Sequence, residues 1–188
     1  MKTIAILATD GFEQSELLEP KKALEDAGFT THVIAPQAGS IKGWKDGNWA
    51  DPVSVDKTLA DANVSDYDAL VLPGGVINPD KLRANKDAIQ FIKDSYQDGQ
   101  TVAAICHGPW TLIEAGLVDG KKMTSYKSIR TDLKNAGAQV EDSAVVVDNG
   151  LITSRNPKDL PQFNAKLIEE IKEGKHKRSG APQEPILS

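Results

Sequence analysis

The sequence predicts a doubly wound α/β sandwich with a largely parallel sheet, and three observations carry that prediction. Apolar runs at Thr3–Ala8, Ala69–Leu72 and Thr101–Ile105 are continuous rather than alternating, which is the pattern of strands buried on both faces. Between such runs lie segments of helical spacing. The clearest is Asn85–Tyr96, with Ala88, Ile89, Ile92 and Tyr96 on one stripe and Lys86, Asp87, Lys93 and Asp94 away from it. Glycine or proline marks the junctions, as at Gly28, Pro36, Gly99 and Gly137. Strands alternating with helices in this way build parallel βαβ units.

Composition sets the bounds. A chain of 188 residues is long enough to bury a real core, and 39% hydrophobic with 26% charged content excludes bulk disorder and a membrane span. The net charge of -5 argues against nucleic acid as a partner, since phosphate binding needs a basic footprint. A single cysteine leaves no internal disulfide and fits a reducing compartment. The opening apolar run is too short for a signal peptide, so the expected location is cytoplasmic. One domain is expected over 1–173, followed by a flexible, solvated tail over 174–188 that begins with the basic run Lys175–Arg178.

In chain order, the strand Thr3–Ala8 is followed by a helix through Ala27. Pro20 is best tolerated in a first turn, which places the helix start near Ser15 to Leu17 and puts Glu16 at its N-terminal end. Thr30–Ala35 is the second strand. Between Gly39 and Val55, short alternating runs around Trp44 and Trp49 read as a small β excursion outside the main sheet. The two tryptophans either mark a ligand pocket or pack the excursion down and fill a subunit contact. Later elements are a short strand near Lys122–Thr124, a helix from Ser128 to Ala136 and a hairpin of Ala144–Val147 with Leu151–Ser154 around Asn149-Gly150. The last helix runs from Pro157 to Glu173, with Leu160, Phe163, Leu167, Ile168 and Ile171 inward.

The chemistry concentrates at Thr101–Trp110, where a buried strand climbs to Cys106, then His107, then Gly108-Pro109 and a helix. Strand, sharp turn and helix with a nucleophile at the apex is the layout of a nucleophile elbow. Cys106 lies at the ligand-binding edge of an open α/β sheet, and the dipole and free N–H groups of the following helix favour its thiolate. The alternative is a small buried hydrophobe. His107 acts as base only if the chain turns sharply, because strand neighbours point to opposite faces; otherwise it shapes the turn. The N–H groups of Gly75 and His107 form an oxyanion hole, or Gly74-Gly75 serves conformation alone. Glu16 is either a protonated partner of the sulfur or a first-turn acid favoured by the helix dipole. One cysteine and three scattered histidines show no metal-ligand spacing, and no phosphate-binding motif is present, so neither a metal nor a cofactor is expected.

Together, Ala104–Pro109, Leu72–Gly75 and Phe12–Leu17, with Thr124–Tyr126 and Ser154–Leu160, resemble the PfpI family of the class I glutamine amidotransferase-like superfamily over Lys2–Lys172. The resemblance implies a flavodoxin-like sandwich, a strained elbow at Cys106 and Glu16 beside the sulfur as a protonated hydrogen-bond donor. It also implies a third catalytic member, Asp80, contributed by a neighbouring subunit of a dimer or hexamer. The implied activity is that of a stress-protective cysteine-nucleophile hydrolase acting as a glyoxalase or deglycase on methylglyoxal or its protein adducts. The alternatives are an intracellular cysteine peptidase, or a non-enzymatic redox-sensing or chaperone-like protein.

Overall fold

A computed structural model describes residues 1–179. In chain order its elements are β1 (Thr3–Leu7), β2 (Phe12–Glu13), α1 (Gln14–Asp26), β3 (Thr30–Ala35), β4 (Ser40–Lys45), β5 (Asn48–Ser54), β6 (Lys57–Thr58), β7 (Ala69–Leu72) and α2 (Ile77–Arg83). There follow α3 (Lys86–Gln97), β8 (Thr101–Ile105), α4 (Pro109–Glu114), β9 (Lys122–Met123), α5 (Arg130–Asn135), β10 (Gln139–Val140), β11 (Val145–Asp148), β12 (Leu151–Ser154) and α6 (Leu160–Glu173).

Seven strands form the central sheet in the order β11-β12-β8-β7-β1-β3-β6. All pairings in it are parallel except β11 with β12, which is the hairpin read from Asn149-Gly150. Both turn residues have positive φ, 48° and 76°, as a two-residue hairpin loop requires. Side chains alternate between two cores. Ala5, Leu7, Leu70, Leu72, Val102 and Ala104 pack on the face covered by α3, α4 and α5. Ile4, Ile6, Val71, Ala103 and Ile105 pack on the face covered by α1 and α6. The continuous apolar runs follow from this two-sided burial.

The small β excursion is a second sheet in the order β2-β4-β5. Trp44 and Trp49 pack edge to face at 5.3 Å on its hairpin, and Trp49 stays 53% exposed.

Two local expectations are corrected, and one segment without a prior reading is resolved. Helix α1 starts at Gln14, so Pro20 lies in its interior rather than its first turn. Pro20 has no N–H for the carbonyl of Glu16, and burial of its ring on the α1 core face offsets that loss. The segment after Gly75 is the helix α2, with Pro79 early enough to be tolerated. Finally, residues 174–179 are docked rather than solvated. The His176 N–H donates to the Gly99 carbonyl at 2.8 Å, and the Arg178 guanidinium lies 3.8 Å over the Tyr96 ring. Arg178 also donates to the carbonyls of Tyr96 and Gln100. The rest of the expected tail, 180–188, lies outside the described residues.

Among the described residues, no helix is long and apolar enough to cross a membrane.

Candidate active site

The site forms where β7 and β8 end and the chain crosses to α2 and α4. Cys106 has φ 63°, the left-handed region that costs a non-glycine residue about 1–2 kcal/mol. Its backbone is held on both sides: its N–H donates to the Ser154 carbonyl at 3.0 Å, and its carbonyl accepts from the Tyr126 N–H at 2.9 Å. Gly108 must be small, since a Cβ there would stand 2.7 Å from the Leu72 carbonyl oxygen. The strand-turn-helix reading therefore holds as a backbone geometry.

The left-handed turn swings the side chain of Cys106 toward His107. Sγ lies 3.2 Å from His107 Nδ1, although a regular strand would point the two residues apart. The ring is stacked on Tyr126 at 4.8 Å and meets the Trp110 edge at 4.9 Å. Nε2 faces Ser128 Oγ at 3.3 Å. Burial holds the His107 pKa below its ordinary value, with the charge of Asp132 opposing the shift.

Glu16 is fully buried in the first turn of α1. Its Oε1 accepts from the Gly74 N–H at 3.0 Å, while Oε2 is buried with no hydrogen-bond partner among the described residues. Burial first, then the charge of Glu13, pushes its pKa up to about 8, against the lowering effect of the Gly74 and Gly75 N–H groups and Cys106. A carboxyl so placed keeps its proton near neutral pH.

Burial, then the negative charge of Glu16, also pushes the Cys106 thiol up, while the N–H groups of His107 and Gly75 pull it down. The two donors expected for an oxyanion hole thus both favour the thiolate. Gly75 has φ 79°, and a Cβ there would stand 2.4 Å from the Gly11 carbonyl oxygen and 2.8 Å from the Glu13 nitrogen. Gly74 is equally constrained, with Glu16 Oε1 at 2.6 Å and Cys106 Cβ at 2.7 Å from its missing side chain. The expected contribution of the α4 dipole is corrected. That helix has six residues with Pro109 at its start, and the Trp110 and Thr111 N–H groups are taken by the carbonyls of His107 and Gly108. The backbone amides that favour the thiolate are those of His107 and Gly75.

The structure does not bring Asp80 to this cluster within one chain. Its carboxylate is paired with Arg83 at 2.6 Å, and the Arg83 guanidinium lies 4.1 Å over the Trp110 ring. Two residues at the site carried no local signal in the sequence. Ser128 is brought to the ring by the turn that follows Tyr126. Asn78, fully buried, accepts from the Thr9 N–H at 2.8 Å and donates to the carbonyls of Pro73 and Gly74, fixing the glycine turn. Arg155 and Asp159 of the late motif clamp one another through both nitrogen and oxygen pairs and serve the entry to α6. Among the described residues no group of three or more His, Cys, Asp or Glu could hold a metal ion.

The model of the DJ-1/PfpI family matches residues 2–170. This chain belongs to that family. It is 48% identical over 168 residues to general stress protein 18 of Bacillus subtilis (strain 168), covering 89% of this chain and 96% of that one. It is 43% identical to protein/nucleic acid deglycase 2 of Escherichia coli (strain K12), covering 89% and 96%. It is 44% identical to YraA of Bacillus subtilis (strain 168), named provisionally as a cysteine protease, covering 91% and 99%. Among solved structures, the crystal structure of a two-domain protein from Anabaena variabilis with DJ-1/ThiJ/PfpI-like and ferritin-like domains superposes with a TM-score of 0.87 at 38% identity. The match covers 92% of this chain and spans 48% of that one. The DJ-1 protein of Schizosaccharomyces pombe has the same fold, at a TM-score of 0.80 and 22% identity over 92% and 96% of the two chains. The mostly parallel central sheet flanked by helices is this family's flavodoxin-like architecture.

Proposed function

We propose that this protein is a stress-protective, cysteine-dependent enzyme of glyoxalase or deglycase type, acting on methylglyoxal or its adducts with protein amines and thiols. The observation that carries the reading is the surroundings of the Cys106 sulfur. His107 Nδ1 lies 3.2 Å from it, and the backbone N–H groups of His107 and Gly75 lower the thiol's pKa. A buried carboxyl beside it holds its proton near pH 7. This suits attack on a small electrophilic carbon in a tight site. The deglycase and stress-protein names of close relatives support it.

In the proposed reaction, His107 Nδ1 takes the Cys106 thiol proton as sulfur bonds to the aldehyde carbon. The carbonyl π pair moves to oxygen, which the Gly75 and His107 N–H groups receive before it is protonated by His107. The resulting hemithioacetal loses the proton on its sulfur-bearing carbon, and the neighbouring ketone carbon gains one, giving a lactoyl thioester. Water cleaves the C–S bond and returns the thiol, so methylglyoxal plus water becomes lactate with no external oxidant or reductant. Protonated Glu16 meets the developing thiolate as a neutral neighbour rather than a like charge.

The test follows methylglyoxal loss and lactate formation by pure protein and by Cys106→Ala. Turnover that depends on the cysteine supports the proposal, and turnover that survives the substitution removes it. The same protein offered unfolded peptides tests the peptidase reading, which the name of YraA favours. Asp80 could enter this chemistry only from a second copy of the chain.

A further inference from the structure

We propose that the cleft between α1 and the tip of the β4–β5 hairpin is a subsite for a cationic side chain, the arginine or lysine that flanks the reacting group in a polypeptide substrate. The proposal rests on the cysteine-centred reading above for the reaction itself and adds what the site selects. The cleft holds about 510 Å³, with Glu13, Gln14, Leu18 and Glu19 on one side and Lys45 and Asp46 on the other. It adjoins the sulfur. The Glu13 N–H donates to the Gly74 carbonyl at 3.3 Å, and a Cβ on Gly74 would stand 2.7 Å from Cys106 Cβ. The charge of Glu13 accordingly raises the pKa of both Glu16 and Cys106.

Three features set the chemistry of the occupant. Charge is the first. Three carboxylates, Glu13, Glu19 and Asp46, share the cleft with one ammonium, Lys45. None of the four forms an ion pair among the described residues. The excess negative charge draws in a cation and repels an anion. The second feature is aromatic. Glu13 is in register with Trp44 in the β2–β4 ladder, and Trp44 with Trp49 in the β4–β5 ladder. Partners in a ladder project to the same face, so a carboxylate stands beside two indoles. The exposed half of Trp49 is open to a guanidinium or ammonium, which is attracted to the face of an indole.

The third feature is an acceptor without a donor. Gln14 Oε1 is buried with no hydrogen-bond partner among the described residues, and a guanidinium or ammonium supplies only donors. Leu18, exposed on α1, gives the aliphatic stem of such a side chain an apolar wall. Free methylglyoxal has neither the charge nor the length to use this cleft. An adduct carried next to an arginine or lysine uses both, and gains affinity through contacts remote from the reacting carbon.

The test uses the full-length protein with Glu13→Gln, Trp49→Leu and a control in a second acidic concavity, the one walled by Asp87, Phe91 and Asp94, where Asp87→Asn is made. Nα-acetyl-arginine amide is titrated against Nα-acetyl-citrulline amide, which keeps the shape and loses the charge, with backbone amide NMR shifts as the readout. Each ligand is then added during iodoacetamide labelling of Cys106, and the ratio of rates with and without ligand is taken, so that a changed thiol pKa cancels.

The arginine amide should shift resonances of residues 13–19 and 44–49 with a Kd of about 1 mM, and the citrulline amide should bind about tenfold more weakly. Glu13→Gln and Trp49→Leu should each weaken the arginine amide about fivefold, and Asp87→Asn should leave it unchanged. At saturation it should slow labelling about threefold in the parent protein. Equal binding of the two amides, shifts confined to other residues, or variants that bind like the parent overturn the proposal. Binding in the cleft that leaves labelling unslowed overturns its link to the sulfur. So does a parent protein in which light scattering shows a second copy covering Trp49, released by Trp49→Leu, and no arginine amide binding. If the parent shows no cysteine-dependent turnover of methylglyoxal, the enzymatic reading fails, and ligand binding and labelling still decide the role of the cleft.

Discussion

Replacing Glu16 by glutamine should flatten the dependence of stability on pH. Glu16 in the folded protein titrates at about 8, against 4.5 for a free carboxyl. Between these values the folded state binds the proton and the unfolded state does not, so stability falls as pH rises through that window. The slope is about 1.4 kcal/mol per pH unit, so this one carboxyl costs roughly 3.4 kcal/mol between pH 5 and pH 7.5. Glutamine keeps the Oε1 acceptor for the Gly74 N–H and points an amide donor where the protonated Oε2 lies. It carries no titrating group. Urea unfolding of parent and Glu16→Gln at half-unit steps from pH 5 to pH 9 reads the difference directly. The gap should widen in favour of the variant by about 1.4 kcal/mol per unit up to about pH 8, then level off. Other shifted groups, such as Glu170 and His107, contribute to both curves alike and cancel in the difference. Parallel curves would refute the claim that this carboxyl is neutral when folded.

The same site yields a kinetic prediction. Burial and the Glu16 charge raise the Cys106 thiol, so alkylation should have its midpoint above the free-thiol value of about 8.5, and Glu16→Gln should lower it by removing the carboxylate. A midpoint unmoved by the substitution would show that the two groups do not share their charge. Gly75→Ala forces a left-handed alanine against backbone atoms and should cost about 2–5 kcal/mol in urea unfolding. Gly28→Ala, with a similar φ of 87° and open space around it, should cost only about 1–2 kcal/mol. Equal losses at the two glycines would count against the tight turn over the sulfur. Arg178→Ala removes the stack on Tyr96 and bonds to three carbonyls at the far end of the sheet from Cys106. It should lower stability by about 1–3 kcal/mol and leave methylglyoxal turnover unchanged, whereas altered turnover with full stability would contradict the placement.

The strands of the central sheet were legible because both faces are buried, which makes β1, β7 and β8 continuous apolar runs without ambiguity. The hairpin at Asn149-Gly150 was legible because its turn demands positive φ at both positions. Helical starts were less legible. Pro20 suggested a later beginning for α1 because local propensity disfavours it in an interior, and tertiary burial on the core overrode that preference. Cys106, His107, Glu16 and Gly75 converge as expected, since an elbow, a first-turn acid and a glycine pair each leave a local mark. Ser128 and Asn78 leave none: each reaches the site from 21 residues after His107 or through the interior of α2, where only the folded chain shows what they touch. The helix-dipole expectation failed for a reason visible afterwards. A six-residue helix opening on proline has little to offer a sulfur, and the backbone amides of His107 at the elbow and of Gly75 favour the thiolate in its place.

The most direct test of a reaction centred on Cys106 is stoichiometric inactivation. The chain has one cysteine, so iodoacetamide labelling, counted by intact mass, reports on that sulfur alone. Samples labelled to increasing fractions are assayed for lactate formation from methylglyoxal, with excess methylglyoxal present during labelling in a parallel series. Activity should fall in proportion to label and vanish at one label per chain, and methylglyoxal should slow the labelling. Activity that persists in fully labelled protein would contradict it.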